Sequence, residues 1–502
     1  MCITLLIKTI NHIKGQIIIS RKLSISTGLS YMDLILASQS ATRRRILNSA
    51  RVSTRFMSPQ IDEENIMKSL SAEQAAPRDI ADTLAEHKAL KISRKNPDSW
   101  VIGCDQILIF EGEIFGKPAS RDELKQSLSR LAGQTHRLIT ANVIYKDCKP
   151  QWRHIAISHM SMRPMSAADI DAYVAAYWQE VKHAAGGYHF ESTPDLFSAV
   201  RGHWFDIMGL SIGPIIGFLN QIDTNTPYQN PKLAAVLGHP IAQSKSPRMH
   251  GHWLQKNGIS GDYIAIDIPL THFNDTLNML FDVGFSGFNV TIPHKEQALA
   301  FADHMSPRAQ RIGAANTLVK TDSGDIHADN TDGYGFITNL STQSETWQPK
   351  AGPALVLGAG GAARAILTAL LDAGVPKIYL SNRTRARADD LAAEISDLIE
   401  VIDWQDKEDV LPEVFTVVNS TSLGMTGKAA LEFDLTDINP HALVTDLIYA
   451  PLETQLLKDA RARGCEVVGG IGMLLHQAVP GFEAWFGTRP EVDQELEALM
   501  LT

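Results

Sequence analysis

At 502 residues, with 44% hydrophobic and 20% charged side chains, the chain has material for about three or four domain-sized cores. A formal net charge of -10 speaks against a nucleic-acid partner, since such proteins usually show a basic face. Cys2, Cys104, Cys148 and Cys465 stand far apart without a CxxC pair, which excludes a disulfide framework or a zinc site and points to a reducing cytoplasm. No uncharged apolar run approaches the roughly 20 residues of a membrane-spanning helix, so the expected ligands are small molecules and no membrane partner is expected.

In residues 1–31, Lys8, Lys14, Arg21 and Lys22 punctuate an apolar, Ser/Thr-bearing stretch with no acidic residue. A transit peptide has this character, but an upstream extension, with Met32 opening the first domain, is the preferred reading. From Met32 short apolar runs (LILAS, SWVIGCDQILIF, HRLITANVIY) alternate with helical stretches such as RDELKQSLSRLAG, the pattern of an α/β domain over residues 32–220. Ser38, Ser40, Arg43 and Arg44 lie at a strand-to-helix passage suited to gripping phosphate. Glu63, Glu64 and Asp105, with Lys88 and Lys117, are the ingredients of metal-assisted attack on a phosphoanhydride, in which acids hold a hard cation and cations neutralise phosphates.

Residues 221–231 are polar, carry two prolines and show no period, which predicts a linker. A second lobe spans 232–340. There LGHPIAQSKSP sets Ser244 and Ser246 two apart in a proline-bracketed loop, so both hydroxyls can point one way. GFNVTIPHKEQA predicts a strand ending at Pro293 followed by a helix with Lys295 near its start, an end where the helix dipole disfavours a cation. Asn316 and Asp332 follow in GAANTL and ADNTDGYG, among small residues that allow close approach. The polar break STQSETWQPKAG precedes a third lobe, 350–470, and residues 471–502 form C-terminal helices returning to the substrate lobe.

The third lobe opens with ALVLG, GAGGAA and RAILTALLDAG, a strand, a glycine-rich turn and a helix. Gly358, Gly360 and Ala363 occupy the positions of a dinucleotide fingerprint, with pyrophosphate expected at the helix N-terminus. The next strand ends on Asn382, Arg383 and Thr384 rather than on the acid that usually holds the ribose of NAD, which favours the 2'-phosphate of NADP. Arg387, one turn on, is either a second phosphate ligand or a solvated helix arginine.

Taken together, HPIAQSKSP, NVTIPHK, GAANTL, DNTDGYG, GAGGAAR, NRT, NSTSLGM, DLIY and GGIGMLLHQA resemble, in order and over residues 232–490, the shikimate dehydrogenase family. The resemblance implies a two-lobed enzyme, an α/β substrate lobe and a Rossmann NADP lobe, that reduces 3-dehydroshikimate to shikimate without a metal. It implies that Lys295 and Asp332 are the catalytic pair and that Ser244, Ser246, Thr291, Asn316 and Gln477 hold substrate, with Asn289 and Tyr449 nearby. Gly358, Gly360, Gly361, Ala362, Asn382, Arg383, Thr384, Arg387 and Gly470 match cofactor contacts, with Met473 beside the nicotinamide. Chemically, hydride delivery to a carbonyl carbon requires a cation or acid at the developing alkoxide. Lys295 can supply both and Asp332 can orient it; which of the two is the ultimate proton donor stays open.

Residues 33–220 resemble the Maf family of nucleotide pyrophosphatases, through LILASQSATRRRIL, GCDQILIFEGEIFGKP, LSRLAGQTHRLITA, AAGGYHFE and IMGLSIGPIIGFL. The resemblance implies hydrolysis of a nucleoside triphosphate to monophosphate and pyrophosphate with a divalent metal, magnesium by expectation, held by Glu63 and Asp105. Asp105 matches the catalytic carboxylate, Lys117 the lysine of the KP motif and Arg43 the phosphate-binding arginine, with Ser38 and Lys88 beside them. Gln106 resembles the branch acting on 7-methyl-GTP. Two positions depart from the family: EVKHAAG replaces a run with a lysine, and Glu191 replaces a glutamine. The whole chain is thus expected to be a bifunctional enzyme, the alternative being a dehydrogenase with a catalytically degenerate interaction domain. Its partners are small-molecule substrates, shikimate or 3-dehydroshikimate and a nucleoside triphosphate, and a homodimer is left open.

Overall fold

The computed structural model describes residues 32–225 and 227–501; the basic segment 1–31, and with it both readings of that segment, lies outside the described residues. Three sheets organise the chain. The first runs Arg55–Phe56, Leu34–Ala37, Trp100–Phe110, Thr135–Lys146, Lys149–Met162, Phe197–Arg201, with Glu113–Phe115 hairpinned onto Trp100–Phe110. Its parallel part (Arg55–Phe56, Leu34–Ala37, Trp100–Phe110) brings the end of Leu34–Ala37 beside Gly103, so the Ser38 loop and Asp105 meet at one edge.

The second sheet runs His304–Met305, Ile326–Asp329, Thr317–Lys320, Phe285–Val290, Lys232–Gly238, Gly261–Asp267. Its last three strands are mutually parallel, which places the segments after Lys232–Gly238 and Phe285–Val290 side by side. The third is entirely parallel, in the order Ile399–Ile402, Ile378–Ser381, Ala354–Leu357, Thr416–Asn419, Leu443–Asp446, Glu466–Val468. Numbered along the chain this is 3-2-1-4-5-6, the doubly wound Rossmann order, whose ligand crevice opens where the order reverses. Its central strands are buried along their whole length, as expected of a sheet covered on both faces.

Several local expectations are corrected. The helix Ile212–Ile222 continues past 220 because Ile212, Ile215, Ile216 and Leu219 form one buried stripe that carries the last turn with them. The segment after it is pinned rather than loose: the Asn220 amide bonds both the N–H and the carbonyl of Tyr228. The helix Asp332–Gln343 likewise runs through the expected boundary at 340, since Phe336 and Leu340, one turn apart, are buried in the core of the third lobe. Asp332 is the first residue of that helix. The strand expected to end at Pro293 stops at Val290, although Thr291 N still donates to Leu237 O at 2.9 Å.

The first unit and the substrate lobe share one continuous hydrophobic core. Trp204, 1% exposed, packs edge-on against Phe285 with ring centroids 4.9 Å apart, and its backbone N–H donates to Val283 O at 2.9 Å. Arg45–Asp262 and Arg163–Asp275, each at 3.2 Å, cross the same junction. The C-terminal helices Val479–Phe486 and Gln494–Leu501 bury Phe482, Trp485, Leu496 and Met500 against Met249 and Trp253 of the substrate lobe. Among the described residues no helix is long and apolar enough to cross a membrane.

Candidate active sites

The C-terminal cleft, about 500 Å³, lies between the second and third sheets. Lys295 is the first residue of the helix Lys295–Phe301 and Asp332 the first of Asp332–Gln343, so two helix starts face one another. The Lys295 ammonium donates to Asp332 Oδ2 at 2.7 Å. The charge that the dipole disfavours at one helix start is thus balanced by an anion that it favours at the other. The second carboxylate oxygen accepts from Asn316 Nδ2 at 2.8 Å, and the same nitrogen reaches Gln477 Oε1 at 3.4 Å. Asn316 cannot turn over: its Oδ1 accepts from Thr317 Oγ1 (2.9 Å), Thr331 N (2.9 Å) and Thr331 Oγ1 (3.1 Å). Thr317 and Thr331, unnoticed in the sequence, do this work from inside the quoted motifs GAANTL and DNTDGYG.

Of the other residues assigned to substrate, Ser244, Ser246, Asn289, Thr291, Tyr449 and Gln477 line the same cleft. The loop that carries Ser244 and Ser246 is braced by Asp267, which accepts from Ile241 N at 3.1 Å and bonds His239 Nδ1 at 2.5 Å. Gln477 approaches closely because Gly335 has no side chain; a Cβ there would lie 2.6 Å from Gln477 N. Gly470, Met473 and Ala362 complete the far wall, so the cleft reaches the start of the glycine-rich helix.

That helix, Gly361–Ala373, has no side-chain cap, leaving its first N–H groups for an anion. Gly358 turns at φ +106°, where a Cβ would meet Ser420 Oγ at 2.8 Å, whereas above Gly360 and Gly361 there is open space. Asn382 shapes this turn, accepting from Ala359 N at 3.2 Å and donating to Thr384 O at 2.8 Å. Arg383, Thr384 and Arg387 are exposed. Arg385 is held by Asp403 at 2.8 Å, while Arg383 and Arg387 have no ion pair among the described residues, so both cations are free to meet a 2'-phosphate. An open cradle with two unengaged cations fits NADP.

The N-terminal cleft, about 620 Å³, is lined by Ser38, Arg43, Glu63, Lys88, Asp105, Gln106, Lys117 and Glu191. At its base the Lys88 ammonium, 7% exposed, sits 2.6 Å from Asp105 Oδ1 and 2.8 Å from Glu63 Oε1. Burial raises the Asp105 pKa in spite of that ammonium. Burial pushes Glu63 the same way, but Lys88, with Lys117 and Arg43 behind it, outweighs this and holds Glu63 below its usual range. Arg43 fixes the cleft wall, donating to Gly209 O (2.9 Å) and Cys104 O (3.3 Å).

Two residues grouped here by sequence lie elsewhere. Arg44 stacks over Phe56 at 5.0 Å, and Glu64 faces solvent beside Lys68, because successive helix residues point about 100° apart. Gln106 lines the cleft, yet its amide nitrogen is engaged by Thr140 Oγ1, Asp206 O and Ile207 O at 2.9–3.0 Å. Among the described residues no three His, Cys, Asp or Glu side chains stand together as a metal cage. Glu63 and Asp105 alone therefore fit a magnesium ion only if substrate phosphates complete its shell. Glu191 bonds Arg45 at 2.5 Å, the same arginine that reaches Asp262 of the substrate lobe.

Comparison with known proteins agrees with this division. Residues 33–222 match the family described as Maf-like protein. Residues 236–318, 342–426 and 470–500 match the shikimate dehydrogenase substrate binding domain, shikimate/quinate 5-dehydrogenase and shikimate 5'-dehydrogenase C-terminal domain families. The chain is 52% identical over 280 residues to shikimate dehydrogenase (NADP(+)) of Paracoccus denitrificans, covering 56% of this chain and 99% of that protein. Among solved structures it is similar to quinate dehydrogenase from Corynebacterium glutamicum in complex with NAD (31% identity, 54% of this chain, 99% of that one, TM-score 0.50). It is also similar to 5-ketofructose reductase of Gluconobacter sp. (32% identity, 54% and 98%, TM-score 0.51). On these grounds the chain is an α/β protein that belongs to the shikimate dehydrogenase family through its C-terminal half and carries a Maf-like domain ahead of it.

Proposed function

We propose that the C-terminal half interconverts 3-dehydroshikimate and shikimate with NADP, with Lys295 and Asp332 as the catalytic pair. The observation that carries this is the convergence of Lys295, Asp332, Asn316 and Gln477 on one cleft that extends to the uncapped glycine-rich helix. Ser244 and Ser246 have the chemistry to hold the substrate carboxylate, and Asn289, Thr291, Asn316, Tyr449 and Gln477 its hydroxyls. The bound cofactor supplies or accepts the hydride. In the reducing direction Lys295 stabilises the oxyanion that forms on the ketone oxygen, and a proton reaches that oxygen through the Lys295–Asp332 pair. Asp332 keeps the ammonium aimed, and Asn316, locked by its three donors, keeps Asp332 in place. NADP-coupled oxidation of shikimate, followed by absorbance of the reduced cofactor, tests this; no turnover with shikimate would reject it.

The N-terminal domain is proposed to hydrolyse a nucleoside triphosphate to monophosphate and pyrophosphate. Arg43, Lys117 and Ser38 have the chemistry to take the phosphates, and Asp105, its pKa raised, suits a base for water. A divalent ion, if it binds with the substrate, would be held by Glu63 and Asp105 and would neutralise phosphate charge. A second reading, a docking domain without catalysis, draws support from Glu191, whose carboxylate is engaged by Arg45 at the domain junction. Pyrophosphate release from a nucleotide panel with magnesium separates the two, with Asp105→Asn as the control that must abolish it.

A further inference from the structure

Asn289, which faces the substrate cleft, is not free to choose its orientation. Its side-chain nitrogen points at the Asn316 carbonyl (3.3 Å), an acceptor only, so its oxygen must face the other way. There it accepts the Tyr263 hydroxyl proton at 2.5 Å. Tyr263, 4% exposed, lies outside the cleft lining. Its ring rests flat on His250, with centroids 3.8 Å apart and planes 1° apart. His250 is fully buried, and burial lowers its pKa to about 3 and keeps it neutral, although the Asn289 side chain beside it pulls the other way. His250 therefore serves as a wall that fixes the Tyr263 ring. Asn289 has a second N–H besides the one on the Asn316 carbonyl, and its side chain lines the cleft.

We propose that Tyr263, seated on His250, is a positioning residue that presents Asn289 to the substrate as a hydrogen-bond donor only, so that the cleft selects a ring hydroxyl whose oxygen accepts there. The inference rests on the assignment of Asn289 to substrate binding. Tyr263→Phe keeps the ring and its stacking and removes only the proton that holds the amide. Without it the Asn289 oxygen loses the donor that holds it and the amide keeps only its 3.3 Å contact to the Asn316 carbonyl, so it can swing off the substrate hydroxyl.

The test is steady-state kinetics with shikimate and NADP for the full chain and for Tyr263→Phe, Asn289→Ala and the double variant, with a thermal melt of each. Tyr263→Phe is expected to raise the shikimate KM about 5- to 20-fold, the worth of one hydrogen bond, with kcat and the NADP KM within about twofold. The double variant is expected to be no worse than Asn289→Ala, because both changes disable one contact. An unchanged shikimate KM in Tyr263→Phe beside a raised one in Asn289→Ala overturns the inference and leaves the site assignment standing. An unchanged KM in Asn289→Ala rejects the assignment itself. Equal losses for shikimate and NADP with a lowered Tm, or multiplicative losses in the double variant, show a merely structural tyrosine and also overturn it.

Discussion

Replacing Lys88 with methionine keeps the bulk of the side chain and removes the ammonium lying between Asp105 and Glu63. Glu63 is 42% exposed and can hydrate, so its share is discounted; the Asp105 carboxylate, 8% exposed, cannot. Breaking a buried pair from one side costs about 3–5 kcal/mol. Protonation sets a ceiling on that loss, because neutralising Asp105 costs about 1.4 kcal/mol for each pH unit above its ordinary pKa of 3.8. The deficit is therefore limited to about 1.6 kcal/mol at pH 5 and can reach the full value at pH 7.5. The sign is fixed by linkage. Losing the ammonium raises the folded pKa of Asp105 further than burial already raises it in the wild type, so the folded variant binds more protons than the folded wild type and its deficit grows as pH rises. Native-state hydrogen exchange on the strand Trp100–Phe110, compared with wild type at both pH values, measures the difference. A deficit equal at the two pH values, or below about 1 kcal/mol at pH 7.5, would refute the reasoning.

Arg383→Ala should raise the KM for NADPH about tenfold or more while leaving NADH use nearly unchanged, since it removes an unengaged cation suited to the 2'-phosphate; equal losses with both cofactors count against the assignment. Lys295→Ala should lower kcat about 100-fold or more with little change in KM, and adding Asp332→Ala should cost little further because the two act as a unit. Fully multiplicative losses in the double variant would contradict this. Trp204→Ala should destabilise the junction between the first domain and the substrate lobe by about 3–5 kcal/mol, the usual scale for truncating a buried tryptophan. Urea unfolding reads it, and a change below about 1 kcal/mol would mean that the two units do not depend on a shared core.

Local pattern was enough to read the strand, glycine turn and helix of the nucleotide lobe, because the fully apolar run ALVL, the turn glycines and the helical period each act within a few residues. It also exposed the residue types of both clefts, from the Ser244–Ser246 loop to Lys295 and Asp105. Which of these meet was not local information. Asp332 stands 37 residues from Lys295, and only the second sheet and the packing of Phe336 and Leu340 bring their helix starts together. Lys88 was legible as a cation of the N-terminal site, but that its ammonium is buried between two carboxylates follows only when its 17-residue helix packs on the first sheet. Glu64 and Arg44 show the converse: correct in type, they point away because of helical phase. Tyr263 and His250 gave no signal, being apolar-looking positions of a strand and a helix. The junction built by Trp204, Phe285, Arg45 and Asp262 joins residues from two separately recognisable domains, and a contact between domains leaves no period or motif in either one. Tertiary packing alone decided it, because burial and charge pairing depend on what lies opposite in space, not on what lies next in the chain.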